Sequence, residues 1–67
     1  MLISQREFDY KGFRISINGT GRVLQANVIY NGASVWSKDY PISKKNRRAA
    51  MNLATIEAVC FVDDHAG

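Results

Sequence analysis

Four cations, Lys44, Lys45, Arg47 and Arg48, fall within the first half of the segment SKKNRRAAMNLA (43–54). Ser43 reads as a helix N-cap after Pro41, which puts these cations on the opening turns of a helix. The start of a helix already carries free N–H groups and a partial positive charge, so each exposed cation costs a few tenths of a kcal/mol there. Asp63 and Asp64 oppose the dipole in the same way at the far end. Solvent and salt screen such charges. The same arrangement is also an anion site of the kind that suits phosphate, built from N–H groups, dipole and cations together.

A second group of residues has the chemistry of base and phosphate contact: Arg14, Gln25, Asn27, Trp36 and Lys38. Arg, Asn, Gln and Lys hydrogen-bond base edges and phosphates, and Trp stacks on rings. Catalytic chemistry is poorly supplied by comparison. The acids Glu7, Asp9, Asp39, Glu57, Asp63 and Asp64 are scattered, the one histidine is His65 near the C-terminus, and the one cysteine is Cys60. General acid–base work needs titratable groups converging in a cleft. A lone thiol and a lone imidazole supply no metal set, and the five glycines form no phosphate loop. The expectation is a protein that is not an enzyme and has no cofactor and no metal.

The elements that must position these residues follow from periodicity. Phe13, Ile15 and Ile17 alternate with Arg14, Ser16 and Asn18, which is the period of a half-buried strand. Phe8 and Tyr10 have the opposite parity, and a bulge or bend at Lys11-Gly12 reconciles the two registers within one strand over 7–18. RVLQANVIY and ASVWSKDY are joined by Asn31-Gly32, the strongest short hairpin signal, giving strands over 22–30 and 33–40. A regular two-residue loop pairs Tyr30 with Ala33, Val28 with Val35 and Asn27 with Trp36. Leu24, Ala26, Val28, Tyr30 and Val35 then face inward. Gln25, Asn27, Trp36, Lys38 and Tyr40 share the outer face with Arg14 and Ser16.

The helix is expected over 43–63 with a tail over 64–67. Ala49, Leu53, Ile56 and Cys60 form a stripe that covers the sheet. A second stripe follows Arg47, namely Met51, Ala54, Ala58 and then Phe61 or Val62. One helix on one sheet needs a single stripe, so this second one is spare and suits a partner protein or a homodimer. The fold class is α+β: a three-stranded antiparallel meander with one C-terminal helix on one face, as one domain spanning 1–67.

Sixty-seven residues at 46% hydrophobic and 22% charged, with net charge +3, describe an ordinary globular chain with a small core. No apolar run reaches the length of a membrane span, MLISQREF lacks a signal-peptide pattern, and a lone cysteine fits a reducing compartment. The expected location is the cytoplasm, with no membrane partner.

Two families resemble parts of this chain. SKKNRRAAMNLA is similar to the opening of the last helix of double-stranded-RNA-binding domains, where Lys44, Lys45 and Arg48 would be the phosphate-contacting positions. That family's first helix and its Gly-rich loop are missing here, and with them contact to one of two minor grooves. YKGFR, GRVLQANV, SVWSKDY and a helix with Ala49, Ala50 and Ala54 resemble the plant ethylene-response-factor type of DNA-binding domain, whose fold is shared by integrase arm-binding domains. That likeness covers about residues 10–60 and implies a sheet laid into the major groove, with Arg14, Arg22, Trp36 and Lys38 reading it. The family's sheet carries more arginines than this one, which offers Ser16, Asn27 and Ser34. The outline is also similar to that of short bacterial and phage β-β-β-α proteins. The expected function is a small nucleic-acid-binding module, for duplex DNA in preference to RNA, using Arg14, Arg22, Trp36, Lys38, Lys44, Lys45, Arg47 and Arg48. The alternative is a protein-binding accessory or phage-borne inhibitor that engages a host protein through its basic end or through Met51, Ala54, Ala58, Phe61 and Val62.

Overall fold

Two of the turns in this chain need two successive residues at positive φ, and that requirement decides the strand count. Asn31 and Gly32 sit at φ 54° and 79°, and Lys11 and Gly12 at 50° and 85°. Both are therefore hairpin turns of the kind whose twist matches the flanking strands. The computed structural model describes residues 3–66, with side chains from residue 5 onward. Met1, Leu2 and the last residue of the expected tail, Gly67, lie outside the described residues. Strands β1 (Ile3–Tyr10), β2 (Phe13–Thr20), β3 (Val23–Tyr30) and β4 (Ala33–Pro41) form one antiparallel meander in the order β1-β2-β3-β4. Helix α1 (Arg47–Ala66) follows.

The sheet thus has four strands, not the expected three, because the stretch over 7–18 reverses direction at Lys11-Gly12. The parity conflict that suggested a bulge is resolved by the reversal. Phe8 pairs with Ile15 and Tyr10 with Phe13, so all four side chains share one face. Lys11 is a costly choice at positive φ, of order 1–2 kcal/mol. Its ammonium lies 2.8 Å from Asp63 on the helix, a contact that offsets part of that strain.

The β3–β4 ladder holds a second correction. Tyr30 pairs with Ala33 and Ile29 with Ser34, as a two-residue loop requires, but Val28 then pairs with Trp36. Val35 is the extra residue of a β-bulge, and every β4 residue after it is turned to the other face. Trp36, Lys38 and Tyr40 therefore face the helix, and Ser37 and Asp39 face away. A regular ladder would have put Ser37 and Asp39 against the core, burying a charge and leaving Trp36 and Tyr40 outside.

The helix-side face now reads in rows across the four strands: Tyr10, Phe13, Tyr30, Ala33; Phe8, Ile15, Val28, Trp36; Arg6, Ile17, Ala26, Lys38. Ile15, Ile17, Leu24, Ala26 and Val28 are completely buried under α1, with Tyr40 and Ile42 nearly so. From the helix come Ala50, Met51, Ala54, Ala58 and Val62.

That list inverts the expected orientation of the helix. Met51, Ala54, Ala58 and Val62, read from the sequence as a spare partner stripe, are core. Leu53 and Ile56, read as core, are 49% and 59% exposed, and Ala49 and Cys60 are exposed with them. Small helix residues against a sheet face of Ile, Leu, Val, Tyr and Trp let the two layers approach closely, which is how large and small side chains fill a core without voids. Polar contacts on both flanks hold this rotation. Arg6 on β1 donates to Thr55 at 3.0 Å, and Lys38 and Tyr40 on β4 both donate to Glu57.

The helix also begins later than Ser43. Asn46 is the capping residue: its carbonyl accepts from Ala50 N–H at 2.8 Å, and its side-chain oxygen accepts from the Ser43 N–H at 2.6 Å. Lys44 and Lys45 thus lie in the turn before the helix, and only Arg47 and Arg48 lie on it. At the other end the helix continues through the expected tail to Ala66, where His65 Nδ1 is 2.9 Å from the Phe61 carbonyl. Among the described residues no helix is long and apolar enough to cross a membrane.

Candidate nucleic-acid interface

The nine cations divide by position. Three are set against carboxylates: Lys11 on Asp63 at 2.8 Å, Arg14 on Asp9 at 3.1 Å and Lys38 on Glu57 at 3.2 Å. Arg6, Arg22, Lys44, Lys45, Arg47 and Arg48 gather towards one end of the molecule. The Cα trace measures 35 Å along its longest axis, and α1 runs back from this end, so the opposite end is far away.

Each of the six is placed by a separate element. The Ile42 N–H donates to the Arg22 carbonyl at 2.9 Å, which ties the β2–β3 turn to the segment entering the helix. The Asn46 cap folds residues 43–46 into a tight turn and so carries Lys44 and Lys45 to the helix start. Arg47 and Arg48 occupy the first two helical positions, where backbone N–H groups are unsatisfied within the helix. Arg6 approaches from β1, and with Lys44, Arg47, Arg48, Met51 and Asn52 it lines a shallow depression. No acidic residue lies in the first turn of the helix, and among the described residues Arg22, Lys44, Lys45 and Arg48 form no ion pair.

Arg6 is the member that sequence reasoning missed. Its signal was the shared parity of Arg6, Phe8 and Tyr10, which places all three on one face once Lys11-Gly12 is read as a hairpin turn. Thr55 holds the Arg6 guanidinium by accepting from it, while its own hydroxyl donates to the Met51 carbonyl at 2.8 Å.

The outer sheet face is a different surface from the one expected. Arg14, Gln25 and Asn27 are there, but Trp36 and Lys38 are not. Trp36 is half-buried on the helix side, with its ring 5.9 Å from that of Phe61 at an interplanar angle of 29°. Lys38 is engaged by Glu57, whose carboxyl is held below its ordinary range by hydrogen bonds from Tyr40 and Lys38. The Tyr40 hydroxyl is pushed well above its own range by burial and by Glu57. Rows across the outer face read Gln5, Asn18, Gln25, Asp39; Glu7, Ser16, Asn27, Ser37; and Asp9, Arg14, Ile29, Ser34. Its charges are Glu7, Asp9 and Asp39 against Arg14 alone, and Asp9 occupies that arginine. The groove-reading surface implied by the ethylene-response-factor likeness is therefore not assembled here.

Of the residues expected at a partner interface, Met51, Ala54, Ala58 and Val62 are buried and Phe61 is half-buried between Trp36 and His65. They are structural. The end of the molecule opposite the cations is an apolar hollow lined by Phe13, Tyr30, Val35, Phe61 and His65, next to the Lys11–Asp63 pair. Among the described residues no three His, Cys, Asp or Glu side chains come together in a metal-binding group.

No protein-family model matches this chain, and neither a curated protein nor a solved structure matches it.

Proposed function

We propose that this protein binds the phosphate backbone of nucleic acid through its basic end, using Arg6, Arg22, Lys44, Arg47 and Arg48, with Lys45 beside them. The observation that carries the reading is the partition of charge. Lys11, Arg14 and Lys38 are each set against a carboxylate, whereas among the described residues Arg22, Lys44, Lys45 and Arg48 form no ion pair and are collected, with Arg6 and Arg47 beside them, from the β1 strand, the β2–β3 turn, the capping turn and the helix start into one positive region. Free N–H groups of the first helical turn face the same region and add a donor set suited to phosphate oxygens. The acidic outer face is repelled by a duplex, so contact is confined to the end.

Such a surface contacts backbone and not base edges, so binding is independent of sequence and governed by salt. The test is fluorescence anisotropy of a labelled random duplex, DNA and RNA in parallel, over a series of salt concentrations. Micromolar affinity at low salt is expected, falling linearly on a log–log plot with a slope of about −0.9 per phosphate neutralised on DNA. An affinity unchanged by salt, or no binding to either duplex at low salt, overturns the reading and directs attention to a protein partner.

A further inference from the structure

The stripe left on the solvent side of the helix is more ordered than an accidental scatter of apolar residues. On the helix it runs Ala49, Leu53, Ile56, Cys60, Asp64, with spacings of four, three, four and four, and Lys45 in the capping turn precedes Ala49 by four residues. With Lys45 included, the spacing is the same read from either end. Its outermost members are opposite charges, the next pair are small side chains, and the centre is Leu53 and Ile56, which are 49% and 59% exposed. On a helical wheel these helix positions point away from the sheet, since the buried residues Ala50, Ala54 and Ala58 occupy the other side.

We propose that two copies of this chain associate through this stripe, with their helices antiparallel about a two-fold axis between Leu53 and Ile56. In that arrangement Leu53 of each copy meets Ile56 of the other, Ala49 meets Cys60, and Lys45 meets Asp64. A two-fold contact requires one patch complementary to itself, and a stripe with mirror-symmetric spacing and oppositely charged ends is such a patch. Antiparallel packing also sets the basic start of each helix against the acidic end of its partner. Charges that oppose the dipole within one chain are thereby matched between chains. Lys45 belongs to this surface, whereas the depression lined by Arg6, Lys44, Arg47 and Arg48 lies on the β1 flank of the helix, so the dimer leaves the basic depression open.

The pairing makes a geometric prediction that a nonspecific apolar contact does not. In the antiparallel dimer the two Cys60 residues are eleven positions apart along the shared axis, about 16 Å at the helical rise, and cannot join. Ala49→Cys instead places a thiol opposite the partner's Cys60. The same two thiols within one helix are also about 16 Å apart, so any disulfide between them is intermolecular. Sedimentation equilibrium of the full chain at tens to hundreds of micromolar is expected to give about twice the 7.5 kDa chain mass. Mild oxidation is expected to crosslink Ala49→Cys efficiently and to leave the unmodified protein uncrosslinked. Asp64→Lys is expected to weaken association at least tenfold, and Lys45→Asp in the same chain to restore it. These substitutions lie at exposed positions, and circular dichroism confirms that the fold survives. A monomer at every concentration overturns the proposal, as does crosslinking through Cys60 alone or a failure of the charge swap to restore the dimer.

Discussion

Exchanging Ala54 and Leu53, one at a time, for glutamine tests which side of the helix meets the sheet. Ala54 is fully buried, so Ala54→Gln adds volume where none is free and brings an amide without an obvious partner. Overpacking costs about 1–3 kcal/mol and an unsatisfied buried amide about 1–3 more, giving about 2–6 kcal/mol together. Leu53 is already half exposed, so Leu53→Gln forfeits about half of a leucine's burial, or about 1 kcal/mol, with helix propensity nearly unchanged. A chain of this length has only about 3–10 kcal/mol of stability in total. Urea unfolding of dilute protein, followed by Trp36 fluorescence, reads both variants on one scale. With a slope near 1 kcal/mol/M, Ala54→Gln lowers the midpoint by about 2 M or more, or prevents folding, and Leu53→Gln lowers it by about 1 M or less. The orientation read directly from the sequence reverses this order. A larger loss for Leu53→Gln than for Ala54→Gln would refute the packing described here.

Three further outcomes follow from local geometry. Gly12 holds φ +85° with open space around it, so Gly12→Val costs about 1–2 kcal/mol through backbone conformation alone, and Gly12→Asn well under half of that in the same urea assay. Deleting Val35 removes the bulge but leaves Trp36 on the helix side, so its emission maximum stays in place; a shift means that Trp36 faced solvent before the deletion. The carboxyls of Glu57 and Asp63 are held below their ordinary range, chiefly by Tyr40 and by Lys11 respectively. A depressed carboxyl pKa in the folded chain stabilises above the unfolded value of about 4 and loses that contribution as pH falls through the lower folded value. Urea midpoints measured from pH 6 down to pH 3 should therefore fall less steeply for a Glu57→Gln, Asp63→Asn double variant than for the original chain, and equal slopes contradict the assignment.

Much of the fold is legible in local chemistry. Asn31-Gly32 and the apolar alternation around it place two strands within a residue of where they lie, and the presence of one C-terminal helix follows from its apolar spacing, although Asn46 and not Ser43 caps it. Three features were not legible, each for a physical reason. Lys11-Gly12 makes the same turn as Asn31-Gly32, but lysine seldom adopts positive φ, so parity alone supported a bulge as well as a reversal. The bulge at Val35 inserts one residue without any glycine to mark it, and it moved Trp36 and Lys38 from the candidate binding face into contact with the helix. The helix carries two apolar stripes, and choosing between them depends on the volume offered by the sheet and on partners for Glu57, Thr55 and Asp63 that no local window contains. The basic helix start was visible as a run of charge. Its enlargement by Arg6 and Arg22 needed the strand order and the Ile42–Arg22 hydrogen bond.

Whether the basic end binds nucleic acid is decided by comparing two variants in duplex-binding anisotropy at low salt. Lys44→Glu with Arg48→Glu reverses two cations that lack carboxylate partners, and Arg14→Ala removes the one cation of the outer sheet face. If it does, the first variant loses at least about tenfold in affinity with a shallower salt dependence, while the second binds as the original chain does. Unchanged binding by the first variant, or loss of binding by the second, would contradict the proposal.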